Sequence, residues 1–237
     1  MKIIKDPTKL YGNVKKLLAN ILPDSYKIQI VTRFPKLKTW EKNQTKDFKK
    51  CSTRFELYEF LQKEYFKEKS IDYLEFGVFE GETIDFWRKL NENLDSRFYG
   101  FDTFTGLPEN WKNLLSDRPK GTWDCQGEIP KIDDSRVEFF KGVFQDTLDD
   151  FLQNYESSNQ IVIHNDSDLY SSTLYVLTRT HDIIKKDTII IFDEFSNVMD
   201  EFRALEDYCI SYNKYIYYGF ICEKLLSFLL IAIKKLF

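Results

Sequence analysis

Four acidic residues, placed in two pairs directly after short apolar runs, are the side chains of this chain best suited to chemistry. Asp166 and Asp168 lie within the stretch Gln160 to Leu174, and Asp193 and Glu194 follow a second apolar run one helix and one strand later. Parallel strands that end in polar groups deliver them to the same edge of a sheet. Burying carboxylates is costly unless something pairs with them, so a cation, a substrate hydroxyl or a network of donors is implied.

Oxygen ligands from two neighbouring strand ends suit a hard cation such as Mg²⁺, with open positions for substrate hydroxyls. A bound metal would lower the pKa of a hydroxyl while a carboxylate takes the proton. The structural alternative is that these acids cap helices. For Asp168, which directly precedes a predicted helix, we favour this role in bracing the helix. His164 ends the same strand, and it is either an orienting neighbour of the site or a neutral core histidine; we favour the core.

A glycine-containing turn forms a second candidate site, at the end of an earlier strand. Glu75, Gly77 and Gly81 lie where this strand passes into a helix, and the free N–H groups of a helix start attract an anionic group. The spacing differs from the G-x-G-x-x-G of dinucleotide folds, so an ordinary tight turn is an equal alternative. Asp102 ends the next strand, where a carboxylate can accept hydrogen bonds from both ribose hydroxyls of an adenosine-containing cofactor. Its alternative is a surface acid that opens a loop.

From Ser70 onward, short apolar runs alternate with helical patterns, which predicts a parallel sheet with crossover helices. The predicted strands lie near Asp72–Val78, Arg97–Asp102, Val137–Lys141, Ile161–His164 and Thr188–Phe192. The predicted helices cover Thr83–Glu92, Asp146–Tyr155, Leu169–Ile184 and Asp200–Tyr212. Two β-rich runs at the end of the chain, Tyr215–Cys222 and Ser227–Ile233, predict a hairpin on the sheet edge.

The first part of the chain, residues 1–66, is rich in Lys and predicts a helical cap on a main domain of residues 67–237. Apolar residues recur at helical spacing from Leu10 to Leu22, and a second helix is predicted to start near Ser52 or Thr53. Between these helices, the basic segment Arg33–Lys50 is interpreted as a solvated linker.

The segment Thr103–Ser135 is too long for a simple connection within the main domain. It contains several Gly and Pro residues and has no clear periodicity. Loops of this length are usually functional lids or disordered inserts, and the presence of Trp111 and Trp123 favours a lid whose tryptophans form walls of the pocket.

Composition and charge argue against several classes of partner. The chain has 34 basic and 38 acidic residues and a net charge of -4, so small molecules are favoured over nucleic acid. Its longest apolar run, Leu225–Ile233, is far short of the roughly 20 residues that span a bilayer, which argues against stable membrane insertion and leaves a peripheral contact as the alternative. The amino terminus lacks the apolar stretch of a signal peptide, and the four scattered cysteines indicate reduced thiols, so we predict a cytoplasmic protein.

Five segments, in unbroken order between Tyr73 and Tyr208, carry a resemblance to a known family. They are Glu-Phe-Gly-Val-Phe-Glu-Gly at 75–81, Tyr-Gly-Phe-Asp-Thr-Phe-Thr-Gly-Leu-Pro at 99–108, Lys-Gly-Val-Phe-Gln-Asp-Thr-Leu at 141–148, Asp-Ser-Asp-Leu-Tyr-Ser-Ser-Thr at 166–173 and Ile-Phe-Asp-Glu-Phe at 191–195. Together they resemble the macrocin O-methyltransferase (TylF/MycF-like) family of class I S-adenosylmethionine-dependent methyltransferases. The resemblance implies an α/β fold, with a Rossmann-like seven-stranded methyltransferase sheet and helices on both faces.

The same resemblance implies roles for individual residues. Those that would bind S-adenosylmethionine are Glu75, Gly77, Phe79, Glu80, Gly81, Thr83, Asp102, Thr103, Phe104, Gly142, Val143 and Asp166. Asp166 would also be the catalytic base, and it would bind Mg²⁺ together with Asp193 and Glu194. Some relatives have Asp where this chain has Glu194.

The sequence thus predicts an S-adenosylmethionine-dependent O-methyltransferase that acts on a hydroxyl of a sugar or glycosylated small molecule with the help of Mg²⁺. One rival is a dinucleotide-dependent dehydrogenase, which the glycine spacing disfavours. Another is a non-catalytic binding protein on the same fold. Oligomeric state is left open, although helical extensions of this kind often make a homo-oligomer.

Overall fold

A computed structural model of the chain describes residues 25–43, 49–112, 117–213, 220–222 and 229–232. Its helices are α1 (Tyr26–Lys42), α2 (Arg54–Leu61, continued by a π-helical turn over Gln62–Phe66), α3 (Glu82–Leu90), α4 (Phe144–Asn154), α5 (Tyr170–Arg179) and α6 (Glu201–Ser211). Its strands are β1 (Lys49–Cys51), β2 (Ile71–Phe76), β3 (Arg97–Asp102), β4 (Val137–Lys141), β5 (Gln160–Asn165), β6 (Ile189–Phe192), β7 (Phe220–Cys222) and β8 (Leu229–Ala232).

The described strands form an eight-stranded sheet with the order β1-β7-β8-β6-β5-β2-β3-β4. Its centre is parallel, since β2 pairs in parallel with β3 and β5, β3 with β4, and β5 with β6. The strand β8 runs antiparallel to both β6 and β7, which confirms the predicted pairing of the two terminal runs, but β1 rather than this pair forms the sheet edge. The sheet has one strand more than the seven predicted, because the three-residue β1 pairs with β7. A run so short shows no alternation that a sequence pattern could reveal.

Neighbouring residues along each central strand point into two different hydrophobic clusters. In β6, Ile190 and Phe192 pack on the side of α1, α4, α5 and α6, whereas Ile189 and Ile191 pack on the side of α2 and α3. This alternation, with both faces buried, is the pattern of a parallel sheet covered by helices on both sides. None of the described helices is long and apolar enough to cross a membrane.

The amino-terminal region differs in part from its prediction. Residues 33–42 belong to α1, so the linker interpretation is wrong there. Ile30 and Leu37, two helical turns apart, are buried in the core, while Arg33 pairs with Glu206 at 2.9 Å. Because only two of its 17 residues are buried, α1 lacks the regular apolar stripe by which a helix is predicted from sequence. The predicted helix between Leu10 and Leu22 lies outside the described residues, and the division at residue 66 stays a prediction.

The second predicted helix is confirmed as α2, and its start is well defined. Thr53 caps it, because its hydroxyl oxygen accepts a hydrogen bond from the Glu56 amide at 3.1 Å. The Glu56 carboxylate in turn accepts one from the Ser52 amide at 2.6 Å. This reciprocal pair, together with burial of Leu57 and Tyr58, holds the first turn of the helix in a fixed position against the sheet.

The long segment between β3 and β4 is folded back on itself. Two isolated antiparallel β-bridges join its two arms, one between Thr105 and Asp124 and one between Trp111 and Arg118. The buried indole N–H of Trp111 donates a hydrogen bond to Asp200 at 2.9 Å, which ties the segment to the start of α6. Residues 113–116, within this segment, lie outside the described part of the chain.

At the end of the same segment, Arg136 ties the start of β4 to the end of α3. Its guanidinium donates hydrogen bonds to the backbone oxygens of Arg88, Asn91 and Asn93, at 2.8, 2.7 and 3.0 Å. Asp134 accepts two more from the same guanidinium. These hydrogen bonds hold the pKa of the Asp134 carboxyl down at about 2.

Replacing Asp134 by Asn should therefore lower the free energy of unfolding at pH 7 by roughly 1–2 kcal/mol. A carboxyl whose pKa is depressed on folding stabilises the protein above its unfolded pKa of about 3.9, and loses that effect as pH falls through the folded value. Urea titrations from pH 7 to pH 2 should thus show the variant and the unmutated protein converging below about pH 4. The exposed neighbour Asp133, changed to Asn, is the matched control. Equal losses for the two variants would contradict the prediction.

Candidate active site

A pocket of about 1050 Å³ lies at the carboxyl ends of the central strands. The predicted site residues that line it are Glu75, Gly77, Phe79, Glu80, Gly81, Thr83, Asp102, Thr103, Val143, Asp166, Asp193 and Glu194. Phe104 and Gly142 are not among its lining residues. Phe104 is fully buried in the core, and the amide of Gly142 donates a hydrogen bond to the backbone oxygen of Asp102. The topology thus brings both candidate sites of the sequence into one cavity.

The turn after β2 is built against the strand that carries Asp166. Gly77 has a φ of +96°, and a Cβ there would lie 1.9 Å from the Asp166 backbone oxygen. Gly81, with a φ of +81°, is the N-cap of α3, and a Cβ there would lie 2.9 Å from Pro130. Both positions need glycine for conformation and for space. The close approach at Gly77 also means that a ligand on this turn lies next to the Asp166 strand end.

Asp102, the last residue of β3, stabilises this turn by accepting hydrogen bonds from its backbone. One of its carboxylate oxygens accepts hydrogen bonds from the Val78 and Phe79 amides at 2.7 and 2.9 Å, and the other accepts one from the Phe104 amide at 2.8 Å. The sequence prediction paired Asp102 with ribose hydroxyls only. In the structure the same carboxylate also shapes the turn, and it still lines the pocket.

The carboxylates of Asp166, Asp193 and Glu194 form an acidic edge of the pocket, and Arg54 of α2 lies against it. Arg54 Nη1 lies 3.8 Å from Asp166 Oδ2 and 3.6 Å from Asp193 Oδ1. Burial and the charge of Asp193 raise the pKa of Asp166 well above its ordinary value, and Arg54 opposes that shift. Burial raises the pKa of Asp193 to about 6 and that of Glu194 to about 7, again against the effect of Arg54.

The interpretation of Asp168 as a helix cap is wrong. The cap position of α5 is Leu169, and no side chain there bonds to the helix start. It is Asp200 that accepts a hydrogen bond from the Tyr170 amide, at 3.2 Å. Asp168 has a φ of 58° and lines the pocket beside Asp166.

His164 is buried and neutral, in keeping with the predicted core role, since burial lowers its pKa to about 3. Its Nδ1 shares a hydrogen bond of 2.7 Å with the Tyr73 hydroxyl, and no described residue is hydrogen-bonded to its Nε2. The three residues His164, Asp166 and Asp193 offer ligand atoms within 4.8 Å of one another. Two carboxylates and a neutral imidazole with an unused nitrogen fit a divalent cation.

Glu194, the third predicted metal ligand, lies outside that group. It lines the pocket, and its backbone amide donates a hydrogen bond to the Glu201 carboxylate at 2.9 Å. Glu201 is fully buried, and burial raises its pKa well above the ordinary value. The buried carboxyl of Glu201 therefore holds the loop that carries Asp193 and Glu194.

Glu75, at the end of β2, is 1% exposed, and its Oε2 has no hydrogen-bond partner among the described residues. Burial raises its pKa well above the ordinary value. Since it also lines the pocket, it offers a buried acceptor to a ligand with a hydrogen-bond donor, such as an ammonium group.

The two tryptophans of the long segment have different positions. Trp123 is 39% exposed and lines the pocket, as the lid prediction expects of a wall. Trp111 is buried against Leu107 and Leu169, and its ring centroid lies 6.0 Å from that of Trp123. Trp111 anchors the segment instead of lining the pocket.

Two residues that shape the site were missed by the sequence prediction. Arg54 lies in the amino-terminal region, far along the chain from Asp166 and Asp193, which it contacts. Glu201 is the first residue of α6 and accepts a hydrogen bond from the Glu194 amide, one loop earlier in the chain. The capping pattern of Thr53 and Glu56 could have placed Arg54 on the first turn of a helix, but no local pattern connects that turn to β5 and β6.

The five neighbouring parallel strands, the antiparallel β8 beside them, the glycine turn after β2 and the carboxylate at the end of β3 match the α/β fold of methyltransferases. The sequence profile of the macrocin-O-methyltransferase (TylF) family matches residues 66–213, more than half of the chain. The chain therefore belongs to the macrocin-O-methyltransferase (TylF) family, as its motifs predicted.

Solved structures agree with this fold. The calicheamicin methyltransferase CalS11 superimposes with a TM-score of 0.51 at 19% identity, over 90% of this chain and 89% of its own. The O-methyltransferase NovP superimposes with a TM-score of 0.54 at 17% identity, over 77% of this chain and 80% of its own. A sequence search of curated proteins finds no match.

Proposed function

We propose that the protein transfers a methyl group from S-adenosylmethionine to a hydroxyl of a sugar or glycosylated small molecule, with Asp166 as the base. The observation that carries this proposal is the packing of the Gly77 turn on the Asp166 backbone, which joins the cofactor turn and the acidic edge in one pocket. Family membership supports the reaction class.

The cofactor half of the pocket is assigned to the turn and its neighbours. The buried Oε2 of Glu75, which has no hydrogen-bond partner among the described residues, would accept a hydrogen bond from the ammonium group of the methionine part. Asp102 would hold the ribose, and Val143 would lie by the adenine. When bound, S-adenosylmethionine supplies a methyl group that its sulfonium makes electrophilic. The protein's own task is then to align the acceptor oxygen and to accept its proton.

The acceptor half is assigned to the acidic edge. Asp166 takes the hydroxyl proton as the oxygen bonds to the methyl carbon, and Asp193 and Glu194 orient the hydroxyl. A divalent metal would be held by His164, Asp166 and Asp193, and would lower the pKa of the hydroxyl. The role predicted from sequence for Glu194 as a ligand remains part of this proposal.

A sugar fits the chemistry of this half of the pocket. Several carboxylates and Arg54 offer hydrogen-bond partners to neighbouring hydroxyls, and the exposed face of Trp123 offers an apolar surface to a sugar ring. CalS11, which shares the fold, is described as a TDP-rhamnose 3'-O-methyltransferase. That description guides the choice of acceptors to be tried.

Isothermal titration calorimetry tests the cofactor claim without knowledge of the acceptor. We expect S-adenosylhomocysteine to bind in the micromolar range, because the turn and Asp102 are already in place. NADH, titrated in parallel, should produce no binding signal. Binding of NADH instead of S-adenosylhomocysteine, by folded protein, would overturn the proposal in favour of a dinucleotide enzyme.

A further inference from the structure

Arg54 occupies the same carboxylates that would hold a divalent cation. Its Nη1 lies within ion-pair distance of both Asp166 and Asp193, and those two residues with His164 form the group suited to a metal. Among the residues that the structure describes, no other arginine or lysine forms an ion pair with this Asp166 and Asp193 pair. One positive charge of the protein is therefore already shared by the two carboxylates of the pair.

The position of Arg54 is set by the fold. It is the first residue of α2, directly after the Thr53 cap, and the reciprocal bonds of Ser52 and Glu56 fix that turn. The next residues of the helix bury Leu57 and Tyr58 against the sheet. The guanidinium is thus brought to the ends of β5 and β6 by a rigid element.

The contact is nonetheless one that can be broken. The two N–O distances, 3.6 and 3.8 Å, are longer than charge-assisted hydrogen bonds, and the Arg54 side chain is 30% exposed. A long side chain with access to solvent can move aside, whereas the two carboxylates are fixed at strand ends.

We propose that Arg54 is a positioning residue that holds the Asp166 and Asp193 carboxylates in place without metal and competes with a divalent cation for them. A guanidinium and a metal ion on the same two carboxylates repel each other, so metal binding requires Arg54 to withdraw. This inference rests on the proposed function, because it treats the acidic pair as the methyl-transfer site. It makes this enzyme's metal affinity a property of its amino-terminal region.

Direct titration with Mn²⁺, with free Mn²⁺ followed by electron paramagnetic resonance, tests the inference in the full-length protein. We expect Arg54→Gln to bind Mn²⁺ at least about tenfold more tightly than the unmutated protein, since the competing charge is gone. Arg54→Lys, which keeps a charge, should lie between them. Arg88→Gln removes the same charge from another part of the pocket wall and should change the affinity by less than about threefold.

Mn²⁺ binding by Arg54→Gln that is absent, or no tighter than that of the unmutated protein, would overturn the inference, and so would equal tightening by Arg88→Gln. If Arg54→Gln does not fold, the inference is also overturned when Arg54→Lys binds Mn²⁺ no more tightly than the unmutated protein does. Binding of S-adenosylhomocysteine by each variant separates the two claims. If the unmutated protein does not bind S-adenosylhomocysteine, the result counts against the proposed function. If Arg54→Gln binds S-adenosylhomocysteine but its Mn²⁺ affinity equals that of the unmutated protein, only the role of Arg54 is contradicted.

Discussion

Asp166→Asn should lower the rate of methyl transfer by at least about 100-fold, because general-base catalysis by a positioned side chain contributes about 10² to 10⁴. Asn has nearly the same size and cannot accept the hydroxyl proton. The affinity for S-adenosylhomocysteine should change by less than about threefold, since the Gly77 turn packs on the backbone of Asp166 and not on its carboxylate. Transfer of labelled methyl from S-adenosylmethionine and calorimetry measure the two quantities.

Asp168→Asn is the matched comparison, because it removes the same charge two residues further along the same wall. We expect its loss of rate to be smaller than that of Asp166→Asn. A larger loss for Asp168→Asn would move the base to Asp168. Asp166→Asn with more than a tenth of the original rate would contradict the assignment of Asp166.

Gly77→Ala should be the most damaging single methyl group that can be added to the site. Its Cβ would lie 1.9 Å from the Asp166 backbone oxygen, and backbone at a strand end cannot move aside cheaply. We expect a loss of about 3 kcal/mol or more in the free energy of unfolding, measured with urea, and loss of S-adenosylhomocysteine binding.

Gly121→Ala is the control for backbone conformation alone. Gly121 also has a positive φ, of +83°, but a Cβ there would meet nothing within 4 Å. Its loss should be only about 1 kcal/mol, from left-handed strain. Equal losses for the two variants would show that the close approach of Gly77 to Asp166 is not what the site depends on.

The central part of the fold could be predicted because its signals are local. The strands Arg97–Asp102 and Val137–Lys141 have the bounds predicted for them, since each is a short run rich in aromatic residues that ends at a charged residue, Asp102 or Lys141. The glycine turn and the strand-end acids meet in one pocket because parallel strands share an edge, which is a rule of topology that the residue pattern already implies.

What could not be predicted depends on contacts between distant parts of the chain. The helix α1 is stabilised by two buried residues that pack on the core, and Pro35 within it argues against a helix in any local reading. Arg54 meets Asp166 and Asp193 only through the fold. Adjacency in sequence was also misleading for Asp168, because the cap of α5 comes from Asp200.

The most direct test of the central claim is a crystal structure of the protein with S-adenosylhomocysteine. We expect density along the turn from Gly77 to Gly81, with the ribose at Asp102 and the sulfur facing Asp166. That arrangement would place the methyl donor and the base on the same acceptor hydroxyl. S-adenosylhomocysteine bound away from this turn, or with its sulfur directed away from Asp166, would contradict the assignment of this pocket as the methyl-transfer site.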